Sequence, residues 1–192
     1  MIKNIILLLV ILSIPTSSYG MEYKPVDGTD IIGTKAPEFE GLKWLNTEPL
    51  TIDQLKGKVV LIRFWLVGCP YCTNSAPELV ELQNKYSEKG LVIIGVHHPK
   101  SEETKNNDHV KKQAEVFGFK FPIAQDLEWE TINSYWLGKK KRSFTSSSIL
   151  IDKKGIIRFV HDGGQFFKSD YDLEANAAFE AMEENILKLL AQ

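Results

Sequence analysis

Two kinds of apolar spacing divide this chain. Val59 to Val67 is a run of β-branched and aromatic residues broken only by Arg63, and Leu91 to Val96 is a second such run. Continuous runs of this length predict strands covered on both faces. Between them, Ala76 to Tyr86 carries Leu79, Val80, Leu82 and Tyr86 at helical spacing, and Gly90 closes that helix. Ser101 to Phe117 is polar with scattered apolar positions, which predicts an exposed helix ended by Gly118. Phe119 to Ala124 reads as a short strand, after which Asp126 caps a helix running to about Trp136. Ser148 to Ile151 and Ile156 to Val160 form a hairpin through the turn Asp152-Lys-Lys-Gly155. Asp172 to Leu190 is amphipathic, with Leu173, Ala177, Phe179, Met182, Ile186 and Leu189 or Leu190 as its buried stripe. Strands alternate with helices, then a hairpin and a helix close the chain. That is an α/β layout in one domain.

The N-terminus follows other rules. Lys3 precedes an apolar run from Ile5 to Ile14, Pro15 ends it, and Ser18 and Gly20 supply small residues for cleavage after Gly20. Residues 1–20 read as a signal peptide, which places the chain in an exported compartment, the periplasm if the source is Gram-negative. The apolar run, about ten residues, falls short of the roughly twenty that span a bilayer. An uncleaved membrane anchor is the alternative. Residues 21–31 are polar, with Pro25 and Gly28, and read as a flexible N-terminal arm ahead of a folded domain over 32–192.

Composition changes this picture little. Hydrophobic residues make up 43% and charged residues 25%, as in ordinary soluble domains. A net charge of -2 gives no case for nucleic-acid binding. Two cysteines cannot staple a small fold, so the fold rests on its core.

Those two cysteines carry the chemistry. Gly68-Cys69-Pro70-Tyr71-Cys72 follows the first apolar run and opens a helix. Two intervening residues put both sulfurs on the first helical turn. The unpaired N–H groups and the dipole at that end favour a thiolate on Cys69, and a thiolate is the attacking species in disulfide exchange. Cys69 is the candidate nucleophile and Cys72 the resolving thiol. Pro70 fits a first helical position, where its missing N–H is no loss. Pro77 lies inside the helix. Trp65 is placed to pack under the pair or simply in the core, and Tyr71 is placed to contact a partner. A zinc site would need further ligands, and neither a second such pair nor a suitably spaced histidine is present. No metal and no cofactor are implied.

These motifs resemble the TlpA-like branch of the thioredoxins, and within it the periplasmic domain of DipZ-type proteins. The resemblance covers roughly residues 31 to 190. It is carried by Gly33-Thr-Lys-Ala36-Pro37-Glu-Phe39, by Leu55-Lys-Gly57-Lys58-Val-Val-Leu-Ile-Arg-Phe64-Trp65, by the cysteine pair and Pro77, and by Val92-Ile-Ile-Gly95-Val-His97-His98-Pro99. Tyr135-Trp136 and Ile149-Leu-Ile-Asp152-Lys-Lys-Gly155 fit the later part. It implies a thioredoxin-like fold: a central mixed β-sheet flanked by helices, with an N-terminal extension. It also implies a thiol-disulfide oxidoreductase acting on protein thiols and disulfides, recharged by an upstream redox partner.

Three positions depart from the pattern. Ser146 stands where the family places a cis-proline facing the cysteines. A cis bond there would cost about 3–4 kcal/mol, so a trans bond is expected, and substrate handling by Thr145 and Ser146 is in question. Ser75 replaces a glutamate common in TlpA-like proteins. Arg63 stands where thioredoxins carry a buried acid, and it cannot accept a proton. Arg63 either reaches the site and favours the Cys69 thiolate, or points to the surface or a carboxylate. His97 and His98 read as loop residues at a strand end. Lys139 to Arg142 is either a docking surface for acidic partners or a solvated loop. Two further functions stay open: a thioredoxin-fold binding or assembly module with little turnover, and a peroxidase suggested by the Ala36-Pro37-x-Phe39 opening.

Overall fold

The computed structural model describes residues 21–138 and 140–192. The signal peptide expected over 1–20 lies outside the described residues, as does Lys139. Among the described residues, no helix is long and apolar enough to cross a membrane.

The two apolar runs pair as parallel strands, β2 (Val59–Trp65) and β3 (Leu91–His97), with Trp65 opposite His97. Between them lies α1 (Pro70–Tyr86). After β3 come α2 (Asn107–Val116) and β4 (Ile123–Asp126), then the short α3 (Glu130–Ile132), which continues as a π-helical turn over Asn133–Leu137. The hairpin β5 (Ser148–Ile151) and β6 (Ile157–His161) and the helix α4 (Leu173–Leu190) complete the chain. A short edge strand, β1 (Leu42–Trp44), runs antiparallel to β4. Among the described residues six strands lie in the order β1-β4-β3-β2-β5-β6, with the pairings among β2, β3 and β4 parallel and the other neighbouring pairs antiparallel. This is the mixed sheet of the thioredoxin-like fold.

Period-2 alternation assigns the faces of β2. Val60, Ile62 and Phe64 enter a cluster with Trp136 and Tyr135, while Val59, Leu61 and Trp65 enter the cluster that α1 and α4 cover with Leu79, Leu82, Phe179, Met182 and Ile186. Each such side chain contributes roughly 1.5–3 kcal/mol by leaving water. Arg63 shares the parity of Leu61 and Trp65, so it points into the second cluster, beneath the cysteines. Gly95 makes room there: a Cβ would come within 2.8 Å of Ile123 Cδ1 and 3.1 Å of Trp65 Nε1.

Several boundaries move, each for a local reason. The helix expected over 101–117 is α-helical only from Asn107, where Asn106 caps it by accepting from the N–H groups of Asp108 and His109. The strand expected over 119–124 begins at Ile123, because Pro122 has no N–H for a ladder. The following helix starts at Glu130 with Trp129, at φ 61°, in the N-cap position rather than Asp126; Asp126, at the end of β4, reaches it from a distance, accepting from Ile132 N at 2.7 Å. Leu173 is exposed rather than part of the α4 stripe. The N-terminal arm, expected to be loose, is tied down at Asp162, whose carboxylate accepts from Tyr23 Oη (2.6 Å) and from the backbone of Val26 and Asp27.

Candidate active site

The cysteines sit where β2 gives way to α1. Gly68, with φ 76°, turns the chain through a conformation that side-chain-bearing residues avoid. Cys69 then adopts extended backbone and becomes the N-cap of α1, with Pro70 as the first helical residue. The Cys72 backbone N–H donates to Cys69 Sγ at 3.3 Å, the bond a capping side chain makes. Both cysteines are free thiols. The Cys69 thiol is pulled down to about 6, first by a hydrogen bond from the Cys72 thiol, then by that backbone N–H and the charge of Arg63, against its partial burial. The Cys72 thiol moves up, because its proton is shared toward Cys69 and it is buried. The two sulfurs are thus driven apart in acidity, an arrangement that would let one thiol attack and the other resolve.

Arg63 settles the alternatives left by the sequence: it is buried, 1% exposed, and reaches the site. Its guanidinium donates to Ser146 O (2.7 Å), Ser148 Oγ (3.1 Å) and Gly164 O (3.1 Å), and it lies over the Phe166 ring at 5.1 Å. It thereby ties together the loop before β5 and the loop after β6. Among the described residues there is no cis peptide, so Ser146 is trans as expected, with its carbonyl held by Arg63. Thr145 beside it is half-buried. Ser75, in place of the glutamate, donates to Tyr71 O and accepts from Phe166 N at 3.0 Å, locking the loop after β6 onto α1.

Tyr71 is 43% exposed and meets the Phe144 ring edge-on at 5.8 Å. Pro70 is exposed beside it. Trp65 is buried, flanked by His97, Phe117 and Phe119, in the same cluster as the cysteines. A cavity of about 470 Å³ opens on the far side of Tyr71, lined by Tyr71, Phe144, Gly164, the start of α4 and arm residues between Met21 and Val26, though by neither cysteine. The sequence reading missed Phe144, a lone aromatic in a polar loop, which was the signal available. His97 and His98, expected in a loop, are fully buried, as is His161. Burial lowers them to about 4, about 3 and about 3 respectively. In the basic loop, Lys140 and Arg142 pair with Asp30 of the arm rather than facing solvent unpaired.

A cysteine pair at the first turn of α1, on a six-stranded mixed sheet covered by helices, defines a protein of thioredoxin-like fold with the machinery of thiol exchange. The chain belongs to the AhpC/TSA family, whose model matches residues 32–160. It is 34% identical over 142 residues to Protein DipZ of Mycobacterium bovis, covering 72% of this chain and 19% of that one. The chain therefore corresponds to about a fifth of that relative. It is 36% identical over 124 residues to the thiol-disulfide oxidoreductase ResA of Bacillus anthracis, covering 65% of each. A solved thiol-disulfide isomerase from Corynebacterium glutamicum superposes with a TM-score of 0.64 at 29% identity, over 82% of this chain and 97% of that one.

Proposed function

We propose that this chain is an exported thiol-disulfide oxidoreductase acting on protein clients through Cys69 and Cys72. The observation that carries the reading is Cys69 as the N-cap of α1, its sulfur receiving the Cys72 N–H and its thiol lowered to about 6. At neutral pH such a thiol is largely ionised, which makes it a ready nucleophile. The Cys69 thiolate attacks a client disulfide, forming a mixed disulfide and releasing one client thiolate. Cys72 then gives up its proton to the departing client sulfur and bonds to Cys69. The pair ends oxidised, the client reduced, and the reverse runs through the same intermediate. Tyr71 and Phe144 offer an exposed aromatic surface to the client, and an upstream redox protein recharges the pair. Export is supported by the pattern Lys3, Ile5–Ile14 and Gly20.

Insulin reduction tests the exchange reading. Turnover by the wild-type chain that vanishes in Cys69→Ser supports it, and no turnover in the wild type removes it. One observation favours a binding module instead: the Ser146 carbonyl is held by Arg63 rather than left free for a client strand. Stable client capture without turnover is the result that reading requires. N-terminal sequencing of the mature protein tests export, with Met21 as the expected first residue.

A further inference from the structure

Arg63 is a buried cation with an unusual set of partners. Among the described residues its hydrogen bonds go to neutral oxygens, those of Ser146, Ser148 and Gly164, and its Nε has no partner. Burial works against its charge, and the acidic groups that favour the charge are Cys72 and then Cys69. From β6, His161 faces it, and His98 at the end of β3 feels its charge; burial keeps both neutral near pH 7. A charge inside a protein is costly unless it is paired. Among the described residues no carboxylate pairs with the guanidinium, and the Phe166 ring it covers lies in the same buried cluster as Cys69 and Cys72. In the disulfide form neither sulfur is charged, and the cation is left without a counter-ion.

We propose that Arg63 is a positioning residue that takes the reduced cysteine pair as its counter-ion, so that closing the disulfide strands the cation and makes the pair an oxidant of client dithiols. This rests on the exchange reading above and adds its direction. A client thiolate attacks Cys69 Sγ, the Cys69–Cys72 bond breaks, and Cys72 leaves and takes up a proton. The second client sulfur attacks the mixed disulfide and releases Cys69 as a thiolate beside Arg63. The client has lost two electrons and two protons; the pair has gained both electrons and one proton, and the other proton goes to solvent. A buried acid in the place of Arg63 would oppose the thiolate, so this substitution reverses the sign of the local field.

Equilibration of the wild type, Arg63→Met and Arg63→Lys with glutathione redox buffers tests the proposal, alongside the thiolate absorbance of Cys69 against pH. Arg63→Met is expected to shift the equilibrium at least about tenfold toward the disulfide, a potential about 30 mV more negative for this two-electron couple. The Cys69 midpoint should rise in the same variant, and Arg63→Lys should retain most of both properties. A wild-type potential in Arg63→Met overturns the idea. So does an Arg63→Lys shift as large as that of Arg63→Met, which would assign the effect to hydrogen-bond geometry. Should the variants not fold, the wild type decides by itself: its reduced form must unfold at a higher temperature than its disulfide form. A four-residue disulfide loop adds little stability of its own, so the opposite order would sink the proposal. Glutathione equilibria need no client, so failure of insulin turnover would remove the exchange reading without touching this measurement.

Discussion

The ends of β2 and β3 lie side by side, joined where His98 N donates to Trp65 O at 3.1 Å, yet they use burial in opposite ways. Beyond β2, Cys69 meets first the Cys72 thiol, then helix N–H groups and the charge of Arg63, and its acidity moves toward the ionised form. At the end of β3, His97 and His98 meet indole rings, Trp65 and Trp129, and their nitrogens have no partners. Their acidity also moves down, but for an imidazole that means the uncharged form. Burial alone neutralises; burial beside a donating thiol, free N–H groups and a cation ionises. The first arrangement suits chemistry, and the second suits packing.

The largest test of this contrast is acid stability. The folded histidines titrate at about 4, about 3 and about 3, against an ordinary value of 6.5. Their contribution is complete above pH 6.5 and is lost as pH falls toward those values. Each therefore removes about 1.4 kcal/mol per pH unit, or about 2 kcal/mol by pH 5. Urea unfolding at pH 7 and pH 5 should show this loss, and His98→Leu with His161→Leu should flatten it. A pH-independent stability over that range breaks the contrast.

The cysteine end has the same sign in a different window. Cys69 is lowered from 9.0 to about 6, so the reduced chain gains stability from it above pH 9 and loses that gain as pH falls through 6. The macroscopic reading is alkylation by iodoacetamide, whose rate should level off above pH 7 and fall about tenfold per unit below pH 6. A midpoint near that of a free thiol would place Cys69 with the histidines, as a packed group.

Smaller effects sharpen the helix side. Ser75→Ala leaves the Phe166 N–H without its acceptor and should cost about 1–3 kcal/mol in thermal unfolding, because that N–H is buried. Lys140→Ser removes an exposed pair with Asp30 and should stay within about 0.5 kcal/mol of the wild type. A larger loss would mean that the basic loop and the arm hold the site's shape.

Much of this was legible in the residues. The apolar runs give β2 and β3, and Gly68-Cys69-Pro70 gives the strand-to-helix step, because both signals are local. Arg63 was half-legible: its place inside the run was plain, but the run alone left open whether it turned to the surface, to a carboxylate or toward the cysteines. Its partners were not legible, since the carbonyls of Ser146 and Gly164 lie 83 and 101 residues further along the chain. The buried histidines were hidden by type, because a polar residue at a strand end reads as exposed. The anchoring of the arm was hidden by distance, because Asp162 is 139 residues from Tyr23.

That anchoring has a practical side. Met21, Glu22 and Tyr23 form part of the wall of the cavity beside Tyr71. A purification handle or fluorophore joined directly ahead of Met21 would emerge at that cavity beside Tyr71 and, on the exchange reading proposed above, would crowd an approaching client. A label joined at the other end of the described chain, past the last turn of α4, would leave that wall untouched.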